Sequence, residues 1–453
     1  MYYSKQKIIF ICLCIFTLIG CDKTQKTFHQ DIKPIIHQKC AICHNPQGAG
    51  PFDLITYKDV TKRSKMIEEV IIKKNMPPWP ADPNYREFLN QKSLEESEIE
   101  ILTQWLESEK IEGRPTKNNL LDSLLKDQLG EPADLTLYMS QAHITKGENK
   151  DEFLMMSFPF ILEKDTFIRK VEFIPDNTSI VHHINAHLIH YDDHNKSHLN
   201  TLHRSVDTEL FSDTECFKKL NILNDDTTYP ILTPSIANYL PGSEQTEYPD
   251  GIGGFKATKK NTILVNDFHY APTPYPEKDS SYFKIYFNDK APKRKVHETQ
   301  LGTFGISKIT PPLIIHPNEI KEFTTEAIIT QDISLLTINP HMHLLGKSFL
   351  AYALTLNNDT IPLIKIDNWN FRWQYFYTFK KMVKIPAGSK IIVKAIYDNT
   401  VNNPDNPFSP PQLVSERQDL NGRGSMRTSD EMLQFIINYV YYQSGDENIS
   451  LMP

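Results

Sequence analysis

The chain has 453 residues, of which 40% are hydrophobic and 23% charged, and its formal net charge is −7. This composition excludes a wholly disordered chain, and an acidic balance without a long basic run argues against a nucleic-acid partner. Six cysteines are too few for a disulfide framework. The length suggests about three domains. Because a disulfide framework is excluded, the six cysteines and 16 histidines are the residues whose roles have to be explained.

The first 20 residues have the features of an export signal. A short basic stretch precedes the apolar run 8–19, which is too short to span a bilayer. The run ends at Leu18-Ile19-Gly20-Cys21, which resembles a bacterial lipobox; an ordinary signal peptide with an incidental Cys21 is the alternative. We therefore expect a lipoprotein signal peptide at 1–20, lipidation of Cys21, and a tether at 21–30. The protein would be exported and anchored on the periplasmic side of a membrane or at the cell surface.

The segment Cys40-Ala41-Ile42-Cys43-His44 has the C-x-x-C-H spacing of c-type heme attachment. Two thiols would form thioethers with the heme vinyl groups, and His44 would bind the iron. A thioredoxin-like dithiol needs a βαβ context and a zinc site needs two more ligands nearby, and the sequence indicates neither. We expect one covalently bound heme c in a small all-α domain at 31–112, which resembles a class I cytochrome c.

The other iron ligand is expected in Asn75-Met76-Pro77-Pro78, where the prolines hold Met76 on a rigid loop. Met66 is the competitor, but it falls in a predicted helix at 57–74, where a core methionine is the ordinary interpretation. A last helix is predicted at 94–107 from its apolar spacing. Residues 113–134 are polar, contain glycine and proline, and are predicted to be a linker with one short helix.

The pattern changes at Leu135. Short runs rich in β-branched and aromatic residues are separated by Pro, Asn, Asp and Gly, and long helical periods are absent. About 315 residues of this kind exceed one ordinary sandwich. We therefore predict two tandem all-β sandwiches at 135–295 and 296–453. The clearest predicted strands are 166–174, 262–270, 282–288, 333–339 and 390–397.

Histidines are concentrated at a few places in this β-rich part. His182 and His183 are adjacent, so a shared metal would require a twist or a bulge in their strand, and His269 ends another predicted strand. His187 and His190 continue the first cluster and share strand faces with His183 and His182. They could be ligands, but we interpret them as strand-face or supporting residues.

A second group lies at the end of a later predicted strand. His341 and His343 are two residues apart, so in an extended strand they share a face and could bind one metal. Taken alone, this H-x-H pair is equally compatible with a polar strand face.

Several segments in this order resemble the copper type II, ascorbate-dependent monooxygenase family, which includes the peptidylglycine α-hydroxylating and dopamine β-monooxygenases. They are His182-His183, His269, His341-Met342-His343 and the late Thr428-Ser429-Asp430-Glu431-Met432. The resemblance covers about residues 135–445, with support from 240–242, 249–251, 368–375, 397–399 and 406–407.

The resemblance implies two jelly-roll-like sandwiches that each hold one copper ion. The two copper sites would face each other across an open cleft. It assigns the first, H-site copper to His182, His183 and His269. It assigns the second, M-site copper to His341, His343 and Met432, which would be the catalytic group, with Met426 as an alternative soft ligand. The implied reaction is hydroxylation of an activated C–H bond with dioxygen, and ascorbate or a protein electron donor would be the reductant.

The sequence departs from the family in three ways. Cys216 is the only cysteine after the heme motif, so no disulfide can form within the β-rich body. Asn339 stands where the peptide-amidating members have an arginine that helps to hold the substrate carboxylate, which argues against a glycine-extended peptide. The fused heme domain suggests a different electron supply from free ascorbate.

The sequence therefore predicts a membrane-anchored copper-dependent monooxygenase that receives electrons through its own heme. Expected partners are a small-molecule or peptide-like substrate, dioxygen, a redox donor protein or quinol pathway, and the membrane through the lipid anchor. The alternative is a heme electron-transfer lipoprotein whose sandwiches form a binding or sensing module without monooxygenase turnover.

Overall fold

The computed structural model describes residues 25–115, 131–243, 247–249, 251–288, 290–416 and 427–452. The expected signal peptide, the lipidation site Cys21 and the alternative ligand Met426 lie outside these residues, as does most of the expected linker. Within the described ranges, no helix is both long enough and apolar enough to cross a membrane.

The N-terminal part is a set of short helices around a small apolar core. A π-helical turn, Phe28–Ile32, is followed by four α-helices. The buried rings of Phe28 and Trp105 lie 5.9 Å apart and join the first turn to the last helix. The helices are α1 (Lys33–Lys39), α2 (Tyr57–Lys62), α3 (Ser64–Ile72) and α4 (Glu96–Glu107).

The prediction of one helix over 57–74 is wrong, because the helix is interrupted at Arg63 between α2 and α3. The Thr61 hydroxyl donates to the Tyr57 carbonyl, and the Arg63 guanidinium lies 4.1 Å from the centroid of the Phe52 ring. These side-chain contacts compete with a continuous helix. Met66 is 51% exposed, so its interpretation as a core methionine is also wrong.

Two sheets formed by residues 135–288 face each other across an apolar core. One has the order β1-β11-β4-β8 and the other β6-β3-β9-β5-β7, while β2 and β10 form a small pair. The strands are β1 (Leu135–Tyr138), β2 (His143–Ile144), β3 (Glu152–Ile161), β4 (Thr166–Ile174), β5 (Val181–Tyr191), β6 (Arg204–Asp207), β7 (Leu232–Tyr239), β8 (Phe255–Ala257), β9 (Lys260–Tyr270), β10 (Lys278–Asp279) and β11 (Tyr282–Asn288).

Residues 297–441 form a second pair of sheets, with the orders β12-β22-β16-β19 and β13-β15-β20-β17-β18. Their inner faces share the largest apolar core of the described residues. The strands are β12 (His297–Gly302), β13 (Ile309–Thr310), β14 (Ile314–Ile315), β15 (Ile320–Ile328), β16 (Ile333–Met342), β17 (Gly346–Leu354), β18 (Thr360–Ile366), β19 (Tyr377–Ile385), β20 (Lys390–Asp398), β21 (Val414–Ser415) and β22 (Leu433–Tyr441).

The described chain is mostly β-sheet with few helices, as the strand patterns predicted. Among its described residues, the β-rich part nevertheless contains a short 3-10 helix, Asp446–Asn448, and one α-helix that the strand patterns do not predict, α5 (Asp213–Leu220). Ser212 and Glu215 form a capping box at its start, and this signal was present in the sequence. Cys216 lies on its buried side as a free thiol.

The helical part packs against both pairs of sheets. The backbone N–H groups of Asp82 and Leu89 donate to the carbonyls of Lys365 and Thr378, each over 2.8 Å. The Thr178 hydroxyl donates to the Gly48 carbonyl over 3.2 Å. This docking places the C-x-x-C-H segment beside the region where the two pairs of sheets meet.

Candidate metal centres

Strands β5 and β9 bring three predicted ligands together. His183 pairs directly with His269 across the two strands, and the register shifts between Val181 and His183. This irregularity is the bulge that a shared metal required, because it lets the adjacent His182 and His183 serve one site. The three histidines form one compact group, with their candidate ligand atoms within 4.8 Å of one another.

The Nδ1 atoms converge. The Nδ1 of His183 lies 3.1 Å from that of His182 and 3.2 Å from that of His269. The Nε2 atoms of His183 and His269 face carboxylates, so these positions carry the ring protons and the Nδ1 atoms present lone pairs. Converging lone pairs repel one another unless a cation lies between them, and the three residues therefore fit a transition-metal ion such as copper.

Two carboxylates hold these rings. Asp267 Oδ2 lies 2.9 Å from His183 Nε2, and Asp151 Oδ1 lies 2.7 Å from His269 Nε2. Burial alone would raise the pKa of Asp267, but His183 outweighs it and the pKa falls to about 2. Burial also lowers the pKa of His269 to about 4 and that of His182 below its usual range. Ionised carboxylates behind neutral imidazoles are typical of metal-binding histidines.

His341 and His343 form a second buried group at the end of β16. Their ring centroids are 5.1 Å apart. The buried Nε2 of His341 makes no hydrogen bond of standard geometry, while the Nδ1 of His343 lies 2.9 Å from the Asp430 carbonyl. The Nε2 atom of His341 and the Nε2 atom of His343 are therefore both available to bind a metal. Burial lowers the pKa of His341 to about 3, so the ring is a neutral donor near pH 7.

Met432 lies at the same end of the sheet. Met342 pairs with Leu433, so the antiparallel register, continued by one residue, sets the buried Met432 beside His343. The Glu431 carboxylate accepts the backbone N–H groups of His343 and Leu345 over 3.0 and 2.7 Å. Glu431 therefore ties the predicted Asp-Glu-Met segment to the H-x-H segment, a role that the sequence analysis did not assign.

A cavity of about 290 Å³ lies between the two pairs of sheets and touches both groups. His183 and Asp267 line one side, and Asn339, His341 and Gln374 line the other. Its other polar side chains are mainly amides and carboxylates, and none of its described lining residues is lysine or arginine. A ligand in this cavity would therefore contact both groups without meeting a basic side chain.

The loop before β19 contacts both groups, and sequence reasoning had marked it only as part of the resemblance. The Phe371 ring lies 6.3 Å from His269 and 5.7 Å from His343. Arg372 Nη1 lies 3.3 Å from Asp151 Oδ1, and the Trp373 ring lies 6.0 Å from His182. No spacing rule links residues 371–373 to His182, His269 and His343, which lie between 28 and 191 positions earlier, so the fold was needed to find them.

The two alternative histidine ligands lie outside the compact group. The Nδ1 of His187 faces the Thr233 carbonyl at 2.9 Å, and His190 is half-buried further along β5. Neither belongs to the cluster of His182, His183 and His269.

The C-x-x-C-H segment has groups suited to heme attachment. Cys40 and Cys43 are free thiols, and the Nδ1 of His44 lies 2.9 Å from the Phe52 carbonyl, which leaves Nε2 for the iron. A Cβ atom at Gly50 would lie 2.6 Å from His44 Nδ1, so a glycine permits this close packing. Met76 is 38% exposed on the loop after α3. The residues present therefore fit a covalently bound heme c.

Comparisons with known proteins add one family match. Residues 315–406 match the model of the copper type II ascorbate-dependent monooxygenase C-terminal domain, and this stretch includes His341 and His343. None of the curated proteins matches the chain. A chain from the structure of infectious bursal disease virus Gt strain is 10% identical over 74% of this chain and 90% of that chain, but its TM-score of 0.14 does not indicate a shared fold. The family match supports copper-dependent monooxygenase chemistry in general.

Proposed function

We propose that this protein is a copper-dependent monooxygenase that hydroxylates an activated C–H bond with dioxygen. The observation that carries the proposal is the convergence of the Nδ1 atoms of His182, His183 and His269, beside a cavity that also touches His341. The family match over 315–406 supports the same chemistry. Two bound copper ions would supply electron storage and dioxygen chemistry.

The residues divide into two ligand sets. His182, His183 and His269 would hold the first copper, with Asp267 and Asp151 orienting two of the rings. His341, His343 and Met432 would hold the second, where a thioether favours Cu(I). The cavity that touches both groups would position the substrate.

Electron supply through a fused heme is part of the proposal. Cys40 and Cys43 would attach heme c, and His44 and Met76 would bind its iron. The free thiols, the orientation of His44 and the docking of this segment against both pairs of sheets support the assignment. Ascorbate, a redox protein or a quinol pathway would reduce the heme, and Cys21 would anchor an exported lipoprotein.

We propose that the substrate is a small molecule or peptide-like compound. Its binding would not depend on recognition of a terminal carboxylate. The Asn339 side-chain amide donates to the Tyr375 carbonyl over 3.0 Å, and no guanidinium or ammonium group is among the described cavity residues. A carboxylate placed there would meet Asp267 and amides instead of a basic partner.

The test is oxygen consumption by copper-loaded protein with a panel of amines, peptides and aromatic C–H donors, with identification of the hydroxylated product. We expect substrate-dependent oxygen uptake that His341→Ala abolishes. A matched control is His316→Ala, because His316 is exposed outside both ligand groups. Copper-loaded protein that consumes no oxygen with any donor, while retaining its heme spectrum, would favour the binding or sensing alternative.

A further inference from the structure

We propose that Trp79, Tyr375 and Trp373 form the path by which an electron travels from the heme to the three-histidine copper site. The inference rests on the proposed function, because it requires heme c at Cys40 and Cys43 and copper at His182, His183 and His269. It goes further by assigning the path to side chains that belong to neither ligand set.

The three aromatic rings make a row of close contacts. The Trp79 ring centroid lies 5.2 Å from that of Tyr375, and the Tyr375 ring lies 6.3 Å from Trp373 with only 14° between the ring planes. Trp373 lies 6.0 Å from His182. Electron tunnelling slows steeply as the gap between donor and acceptor widens, so a row of π-systems is a favourable path.

The row begins on the loop that carries Met76, the proposed iron ligand. Trp79 is three residues after Met76, and the Tyr375 hydroxyl donates to the Pro78 carbonyl over 2.8 Å. On the other side of the motif, a Cβ atom at Gly242 would lie 2.5 Å from the Cys43 Sγ, so this glycine lets the loop after β7 approach the attachment site. Both the attachment cysteine and the methionine loop therefore contact the β-rich part.

The row ends at His182, which is not among the described residues that line the cavity, although Tyr375 in the middle of the row does line it. Among the described residues, His183 lines the cavity, whereas His182 does not and faces Trp373 instead. Electrons would enter through His182 while substrate and dioxygen occupy the cavity. From the same site, Phe371 lies between His269 and His343 and continues the contacts to the second ligand set.

The transfer is a one-electron step. Ferrous heme loses one electron and becomes ferric, and cupric copper gains that electron and becomes cuprous. No bond forms or breaks, and no proton has to move with the electron.

The experiment reduces the heme of full-length, copper(II)-loaded protein by a brief flash and follows heme reoxidation by visible absorption and loss of the cupric signal by electron paramagnetic resonance. Trp373→Leu and Trp79→Leu remove rings from the row, and Trp373→Phe retains one. Tyr138→Leu is the matched control, since Tyr138 is 66% exposed on β1, away from the row. Heme and copper content are measured for each variant.

We expect Trp373→Leu and Trp79→Leu to slow heme reoxidation while heme and copper contents stay unchanged, and Trp373→Phe and Tyr138→Leu to stay close to the unaltered protein. Unchanged rates in both leucine variants, with normal transfer in the parent, would overturn the path and leave the proposed function intact. Absence of any heme reoxidation in the parent would instead overturn the proposed heme electron supply. If one leucine variant loses metal or heme, the other leucine variant decides, and a heme reoxidation rate equal to that of the parent in that variant would overturn the path.

Discussion

The carboxylates behind His183 and His269 are the residues on which the proposed three-histidine copper site depends. Asp267 and His269 lie two apart on β9, so they share one face of the strand, and Asp267 reaches the ring of His183 on the neighbouring strand. Asp151, which directly precedes β3, contacts the Nε2 of His269 through its carboxylate. The Arg372 guanidinium donates to the same carboxylate. These contacts determine which ring nitrogen is available for copper.

We predict that Asp267→Asn weakens copper binding at the three-histidine site by about 10- to 100-fold, because an amide no longer stabilises the required ring orientation and proton position. Competition with a copper chelator measures the change. Asp207→Asn is the control, because Asp207 pairs with the exposed Lys146 away from the site. Equal copper affinity in Asp267→Asn and the parent protein would contradict this role.

Glu431 accepts hydrogen bonds beside the second ligand group, which contains His341, His343 and Met432. Both of its carboxylate oxygens accept backbone N–H groups, including those of His343, Leu345 and Met432. Burial raises its pKa to about 8, although these N–H groups lower it by favouring the ionised form.

Above pH 8, where the Glu431 carboxylate is ionised, we expect Glu431→Gln to lower the free energy of unfolding by about 1–3 kcal/mol, because the amide can accept at only one of the two positions and leaves a buried N–H unsatisfied. Urea titration measures this loss. Glu69→Gln, at a fully exposed position on α3, serves for comparison and should leave the midpoint unchanged. A midpoint unchanged in Glu431→Gln as well would show that the carboxylate does not hold the two segments together.

At the scale of elements, the sequence predicts best those segments whose structure follows from one hydrophobic period or one short motif. The strand patterns identified β4, β9, β11, β16 and β20 to within a few residues, and α4 begins only two residues later than predicted. The interrupted helix has a tertiary cause, because Arg63 contacts Phe52. The bulge that a shared metal requires at His182 and His183 is present, and its position depends on the pairing of β5 with β9. The loop carrying Phe371 reaches both ligand groups only because the two pairs of sheets meet there.

The segment joining β11 to β12 carries an ion pair that secures the second pair of sheets. Arg294 donates to both oxygens of Asp446 over 2.7 Å, and Ser334 donates to the same carboxylate over 2.6 Å. Burial alone would raise the pKa of Asp446, but these hydrogen bonds outweigh it and lower the pKa. The resulting stability is present above the ordinary pKa of aspartate and is lost as the pH falls through the lowered pKa of the folded state.

We predict that Arg294→Met destabilises the protein by about 3–5 kcal/mol at neutral pH, since it leaves the Asp446 charge buried without its partner. Lys390→Met breaks the exposed pair with Glu326 and should cost at most about 1 kcal/mol. Urea unfolding at neutral pH compares the two variants. Similar losses of unfolding free energy in the two variants would contradict a larger contribution from the buried pair of Arg294 and Asp446. The difference between the two losses should shrink as the pH is lowered through the pKa of Asp446.

At the scale of the whole molecule, three parts converge on one region. The helical part docks against both pairs of sheets, and Phe88 inserts into the core of the second pair, where its ring lies 4.9 Å from that of Tyr377. The cavity between the sheets touches both candidate copper sites, and the row from Trp79 to Trp373 approaches one of them from the helical side. This arrangement brings the C-x-x-C-H segment and the two candidate metal-ligand sets close together.

The proposed function requires two copper ions, bound in two separate histidine groups. The most direct measurement is copper content per chain after reconstitution and removal of loosely bound metal, for the parent protein, His182→Ala, His341→Ala and the double variant. We predict two, one, one and no copper ions, with an unchanged heme spectrum throughout. A parent protein that retains no copper, or single variants that both retain two, would contradict the account.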